Sequence, residues 1–371
     1  MPELRILSFM PPYRHRHRGL TTVRQPWIWF PLMLGCAVVL HLRIAWQLSE
    51  ARSARDHDDE CRPEPIRTIL DNFQHLHDLP VVNEQFFRSV PLVRSENAIV
   101  TSMYNDAFAV PIATLGHSLN KADSTARRIV FYFPGQVTER ALCIATASGF
   151  EPHAVSRIEP PADGVFEHFM DQFTKLSIWK FDELGIKAVV YLDADTLVRR
   201  NFDELFAMPF NFAAVPDVYF WDPGFDIAFN AGVLFVRTST KMFHHLVRQI
   251  NTARYPHGEA EQALLNVFHG ADAVRLPYIY NGNLAIKKRN PEMWEALQPE
   301  LRLIHYTLVK PFWRGVYNET GVEDMHRNVL EKAEAWDGIF RDELLEWEEV
   351  WNETRATHRS AFTRCGWKDG H

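Results

Sequence analysis

The sequence predicts an α/β domain built on an open, Rossmann-like mixed sheet flanked by helices. Three observations carry that expectation. Short apolar strands alternate with helical stretches, one strand is apolar on both faces, and a pair of carboxylates stands at its end. Residues 98–103 (AIVTSM) read as the first strand, followed by Asn105-Asp106 and a helical run through Leu119. Residues 128–133 (RIVFYF) are a second strand, ended by Pro134-Gly135. A helix is expected over 166–184, where Phe169, Phe173, Leu176 and Trp179 recur at helical spacing. Residues 187–192 (KAVVYL) form a near-continuous apolar run, the pattern of a strand covered on both faces. Strands alternating with helices in this way build layered α/β domains, which bind ligands beyond the carboxyl ends of their strands.

Composition bounds the reading without deciding it. The chain has 371 residues, 46% hydrophobic and 23% charged, enough for a large globular core. Its net charge of −7 offers no basic surface to a phosphate backbone, so no nucleic acid is expected as a partner. Four cysteines are too few and too scattered for a zinc motif or a disulfide framework.

The N-terminal part reads differently from the body. Residues 27–46 begin WIWFPLMLGCAVVLHL, with tryptophans at both ends and an arginine-rich stretch before them. This predicts a cytoplasmic tail over 1–26, a transmembrane anchor over 27–46 and a stem over 47–96. The expected topology is that of a single-pass type II membrane protein of the Golgi or ER, with the catalytic domain lumenal. A short helix is expected at 66–77. The catalytic body is placed at 97–317, and an acidic helical extension at 318–371, packed on the body or trailing from it.

The strand at 187–192 runs into Asp193-Ala194-Asp195. Alternate residues of an extended chain project the same way, so both carboxylates face one crevice. Like charges that close are unfavourable unless a cation lies between them. A hard divalent ion that also holds a diphosphate fits that arrangement. Asp56-His57-Asp58 has the same spelling but no strand before it, which shows that context carries the signal.

The segment Phe173-Thr-Lys175-Leu-Ser-Ile-Trp179, followed by Tyr191-Leu-Asp193-Ala-Asp195-Thr, resembles the central block of glycosyltransferase family eight, the glycogenin-like enzymes. Four further blocks resemble that family in its order. They are the stretch from Val100 to Phe108, Asn230-Ala231-Gly232, Glu261-Gln262-Ala-Leu-Leu-Asn266, and His305-Tyr-Thr-Leu-Val-Lys310-Pro-Phe312. The last block has a fungal look. The resemblance implies a GT-A fold that binds a UDP-sugar donor through a divalent cation, usually Mn2+, and transfers the sugar with retention. It implies Asp193, Asp195 and His305 as metal ligands, Lys310 on the diphosphate, and Lys175 near the phosphates or the donor sugar. Ser102, Tyr104, Asn105 and Phe108 are implied to line the uridine pocket, and Ala194 to contact the nucleotide-sugar. Asn230, Glu261 and Gln262 are implied as the catalytic set facing the transferred sugar.

Three departures stand out: Glu261 replaces the family's aspartate, Leu308 replaces a glycine, and Lys310 comes one residue early. The acceptor is expected to be a glycan, a glycolipid or a protein of the secretory pathway. A self-glucosylating, glycogenin-like enzyme is the rival reading, set aside on the strength of the anchor. A non-catalytic, sugar-nucleotide-binding descendant of the fold would have lost one of Asp193, Asp195 or His305. A nucleotidyltransferase would show a glycine-rich basic loop where Tyr104-Asn105-Asp106 stands.

Overall fold

The computed structural model describes residues 93–218, 228–314, 318–319 and 322–367. The chain separates into two units, Met1–Ile66 and Arg67–His371, and everything described lies in the second. The tail, the span at 27–46, the helix expected at 66–77 and Asp56-His57-Asp58 lie outside the described residues. Among the described residues no helix is long and apolar enough to cross a membrane. The expectation of a single-pass type II membrane protein in the Golgi or ER is therefore corrected and set aside, with the membrane as a partner.

The core of the second unit is a seven-stranded mixed sheet. Its strands in chain order are β1 (Asn97–Met103), β2 (Arg127–Tyr132), β3 (Glu151–Ala154), β4 (Ala188–Leu192), β6 (Phe212–Pro216), β7 (Phe229–Arg237) and β8 (Val274–Arg275). Between β4 and β6 runs β5 (Thr196–Val198), which with β9 (Gly282–Asn283) and β10 (Leu303–His305) makes a small second sheet. The large sheet has the order β3-β2-β1-β4-β7-β6-β8. β1 to β4 are mutually parallel, whereas β7 runs antiparallel to both β4 and β6.

Burial of β4 on both faces explains its uninterrupted apolar run. Ala188, Val190 and Leu192 enter the core on one side of the sheet; Val189 and Tyr191 enter the core on the other. The first side is filled by α1 (Ala109–Lys121) and α2 (Glu139–Thr146). The second is filled by Gln172–Leu184 together with α3 (Thr240–Gln249) and α4 (Ala260–His269). Within the helix expected over 166–184, Gln172–Leu184 is a long 3-10 helix, and it stops at Gly185, whose φ of 74° is the left-handed cap that glycine favours. Farther along come α5 (Leu284–Arg289), α6 (Pro291–Leu297), α7 (Val322–Glu334), α8 (Arg341–Thr357) and α9 (Arg359–Arg364). Val329, Leu344, Trp347 and Trp351 from the C-terminal helices share the core of α1, so these helices pack on the body. One disulfide joins Cys143 of α2 to Cys365 just after α9, with Cα atoms 5.5 Å apart. Among the described residues it is a single bridge rather than a framework.

Candidate active site

β4 ends at Leu192 and delivers Asp193 to the rim of the sheet. The Asp193 N–H donates to the Gly232 carbonyl (2.8 Å), and the Tyr306 N–H donates to the Asp195 carbonyl (3.0 Å). The acidic pair is thus pinned between β7 and the end of β10. Antiparallel pairing of β10 with β5 sets His305 opposite Thr196, one residue from Asp195. His305 Nε2 lies 3.3 Å from Asp195 Oδ1 and 3.9 Å from Asp193 Oδ2. One ligand atom from each of the three falls within 4.8 Å of the others, so the group can hold a metal ion.

The chemistry of this donor set fits a divalent cation. His305 Nδ1 lies 3.0 Å from Asn281 Oδ1, an acceptor, so the ring proton sits on Nδ1 and Nε2 keeps its lone pair toward the aspartates. Burial pushes His305 down to about 4, against the pull of Asp193, so the imidazole is neutral near pH 7. Burial alone would raise Asp193, but Lys175, His305 and Tyr191 outweigh it and hold the carboxyl below its usual range. Two carboxylate oxygens and one neutral imidazole suit manganese and similar ions.

Gly232 explains part of the Asn-x-Gly pattern. A Cβ there would lie 2.1 Å from His305 Cε1 and 2.9 Å from Asn230 Oδ1. Only the missing side chain lets the imidazole approach β7. Behind His305 runs a relay of amides. Asn281 Nδ2 donates to Asn230 Oδ1 (3.0 Å), Asn230 Nδ2 to Gln262 Oε1 (3.3 Å), and Gln262 Nε2 to Asp217 Oδ2 (2.9 Å). Asn230 and Gln262 therefore brace the histidine's partner as well as bordering the site.

Lys175 is the other centre of order. It is 2% exposed, and its Nζ meets Glu261 at 2.6 Å, Asp193 at 3.2 Å and the Ala231 carbonyl at 3.1 Å. Burial favours its neutral form, yet the two carboxylates win and hold it above its ordinary value. Burial raises Glu261, with Lys175 opposing. Tyr191 donates to Asp193 Oδ1 at 2.9 Å and shares a 2.7 Å hydrogen bond with Ser102. Ser102 thus sits behind Asp193, itself 4% exposed.

The remaining residues lie in two loops that meet. Tyr104 is buried against Phe133 and Phe108, and burial raises its phenol well above the usual range. Asn105 accepts from the Ala107 N–H at 3.0 Å, shaping the turn that presents half-buried Phe108. The closing loop brings the Lys310 ammonium onto Asp195 and Trp313 edge-on to Phe108 at 5.2 Å. Phe312 instead packs on Trp347, so Trp313 is the ring that faces the loop of Phe108. Ala194, 5% exposed, belongs to the apolar core between its two aspartates.

Two site residues gave no sign of their roles in the sequence. Asn281 stands in an Asn-Gly turn that reads as a plain loop, and Tyr191 reads as strand core. Gly232 lies in the Asn-x-Gly stretch, where Asn230 alone reads as a strand-edge turn.

Comparison with known proteins agrees with this geometry. The chain is 24% identical over 236 residues to the glycogenin of Neurospora crassa, covering 62% of this chain and 33% of that one. It is 27% identical over 259 residues to inositol phosphorylceramide glucuronosyltransferase 1 of Arabidopsis thaliana, covering 63% and 46%. The chain thus spans less than half the length of either relative. These relatives come from a fungus and a plant, so the fungal look of the closing block does not stand as a finding. Among solved structures, the bifunctional glycosyltransferase WbbM aligns over 70% of this chain and 52% of its own, at 17% identity and a TM-score of 0.48, too distant to carry an argument. The family described as "Glycosyl transferase family 8" matches residues 99–315, more than half of the chain. The chain belongs to glycosyltransferase family 8.

Proposed function

We propose that this enzyme moves a hexose from a UDP-sugar to a hydroxyl of a glycan, glycolipid or protein acceptor, with retention at the anomeric carbon. The observation that carries the reading is the pairing of two carboxylates with a histidine whose Nε2 is left free by Asn281. Asp193, Asp195 and His305 would hold a divalent cation, with Mn2+ the favoured ion. Bound there, the ion supplies positive charge where the departing diphosphate becomes negative.

The chain's own residues supply the rest. Lys310, beside Asp195, adds a second positive charge for the same diphosphate. Tyr104, Asn105 and Phe108 face the uridine, while Ser102 supports Asp193 through Tyr191. Asn230, Gln262 and Glu261 border the transferred sugar. Glu261 is 4% exposed and tied to Lys175 at 2.6 Å, which makes it a poor nucleophile. This favours attack on the same face as departure. The anomeric carbon–oxygen bond to UDP breaks, the acceptor oxygen bonds to that carbon, and the acceptor's proton passes to the departing phosphate oxygen.

The test is hydrolysis and transfer by the full chain with UDP-glucose, UDP-galactose, UDP-N-acetylglucosamine and UDP-glucuronate, each with and without Mn2+. We expect one donor to be consumed only with metal. Metal-independent turnover, or none with any donor, overturns the reading.

Likeness to a glycogenin favours a second reading, self-glucosylation. The argument that set it aside rested on the membrane anchor, and it lapses with that anchor. Intact mass after incubation with UDP-glucose and Mn2+ alone separates the two, since only self-glucosylation adds hexose units to the chain.

A further inference from the structure

The closing loop departs from its family in length and lacks the glycine that would let it turn, so something else must fix its shape. The structure shows what touches it. On α7, Met325, Val329 and Ala333 are buried in the core at helical spacing. Asn328 and Lys332, four residues apart, lie on that same face. Polar residues on a core-facing stripe need partners, because an unpaired buried donor is costly. Their partners are the carbonyls of the closing loop. Asn328 Nδ2 donates to the Pro311 carbonyl at 2.6 Å, and the Lys332 ammonium donates to the carbonyls of Lys310 and Trp313. Two side chains on one helix face thus make three hydrogen bonds, to three of four successive residues. Those residues carry the ammonium beside Asp195 and the indole against Phe108.

We propose that Lys332 and Asn328 are positioning residues, a clamp through which α7 sets the closing loop so that Lys310 faces the diphosphate of the donor. This rests on the reading of Lys310 given above. Neither residue is placed on substrate; both act through the loop backbone. A helix of the acidic C-terminal extension is thereby part of donor binding.

The test is a double-mutant cycle on the full chain, read as UDP affinity in the presence of Mn2+ by calorimetry. Lys332→Met removes both donated bonds and keeps the aliphatic stem. It is expected to weaken UDP binding about ten-fold in the wild-type background, and less than about two-fold in a Lys310→Met background, because the clamp acts through that lysine. Lys332→Arg keeps a charged donor and restores most of the affinity. Affinity for Mn2+ without UDP is expected to stay unchanged. Unaltered UDP affinity in Lys332→Met, or an equal loss in both backgrounds, overturns the clamp. A Lys332→Met chain without a cooperative unfolding transition shifts the test to Asn328→Ala, which removes the Pro311 contact alone; a loss of affinity that disappears with Lys310→Met supports the clamp, and no loss overturns it. A wild-type chain that binds Mn2+ but not UDP sinks the functional reading itself, and the clamp with it.

Discussion

Gly232→Ala is the sharpest probe of the metal site, because one methyl group acts on one ligand. The added Cβ would lie 2.1 Å from His305 Cε1, where ordinary contact begins near 3.4 Å. The imidazole must therefore retreat by about 1.3 Å, or β7 must bend away by as much. Ligand distances in a metal site tolerate about 0.2 Å, so the retreat removes His305 from the donor set. It also strains the 3.0 Å hydrogen bond that fixes the ring's tautomer. Outer-sphere substitutions alone cost about 10- to 100-fold in metal affinity, and displacing the ligand itself should cost at least that. Overpacking adds about 1–3 kcal/mol of destabilisation, which a urea titration of the metal-free protein measures separately. The assay is a Mn2+ titration followed by calorimetry. If Gly232→Ala binds Mn2+ with wild-type affinity while remaining folded, His305 is not a ligand and the reasoning fails.

Asp195→Ala should abolish metal-dependent turnover while leaving the metal-free unfolding temperature within a few degrees, and turnover that persists refutes the ligand assignment. Asn281→Leu takes away the acceptor that holds the His305 Nδ1 proton, so Mn2+ affinity should fall about 10- to 100-fold; an unchanged titration dismisses the relay. Lys175→Met strands buried Glu261 and half-buried Asp193 and should cost about 3–5 kcal/mol in urea unfolding. Adding Glu261→Gln should recover part of that loss, and its failure to do so would show that the pair is not the source. His117 and His358 face each other with ring centroids 5.5 Å apart, and both are lowered from the ordinary histidine value, chiefly by burial. A histidine lowered in the fold takes up its proton more readily when unfolded, so stability is full above about pH 6.5 and declines as pH falls below it. His358→Phe should flatten that decline between pH 7 and 5, and an unaltered slope would assign it to other groups.

What was legible in the sequence follows from what physics writes into a local pattern. β4 was plain because burial on both faces leaves an unbroken apolar run, and the carboxylates at its end stood out against that run. The direction of β7 left no mark, since antiparallel and parallel neighbours select the same side chains. The stretch Gln172–Leu184 showed a helical period, but a period near three and one near 3.6 are hard to separate over so few turns. Lys175 alone reads as a solvated lysine on an amphipathic helix; two carboxylates distant in sequence bury it. His305 likewise reads as a core histidine until Asn281 and the aspartates surround it. The acidic composition after residue 318 left open whether these helices pack on the body or trail from it; in the fold Glu343 is 1% exposed and bound by Lys287 and the Trp294 indole. Such partners are set by tertiary approach and leave no mark on neighbouring residues.

Ala260 shows how far the site is set in advance. Its φ of 51° and ψ of −135° belong to a region that favours glycine, at an order-of-magnitude cost of about 1–3 kcal/mol, although the residue is 1% exposed. The next residue is Glu261, whose carboxylate ends on Lys175. The strained turn and the extra methylene of glutamate act together to carry the acid that distance. Lys175 in turn fixes Asp193, one of the two acids of the metal group. One buried ammonium therefore orients both the acid proposed to hold the cation and the acid proposed to border the sugar. With Lys175 as a permanent counter-charge, Asp193 stays ionised and in place before any cation arrives, so binding need not order the site. Strain at Ala260 is then the structural cost of a site already assembled when the donor reaches it.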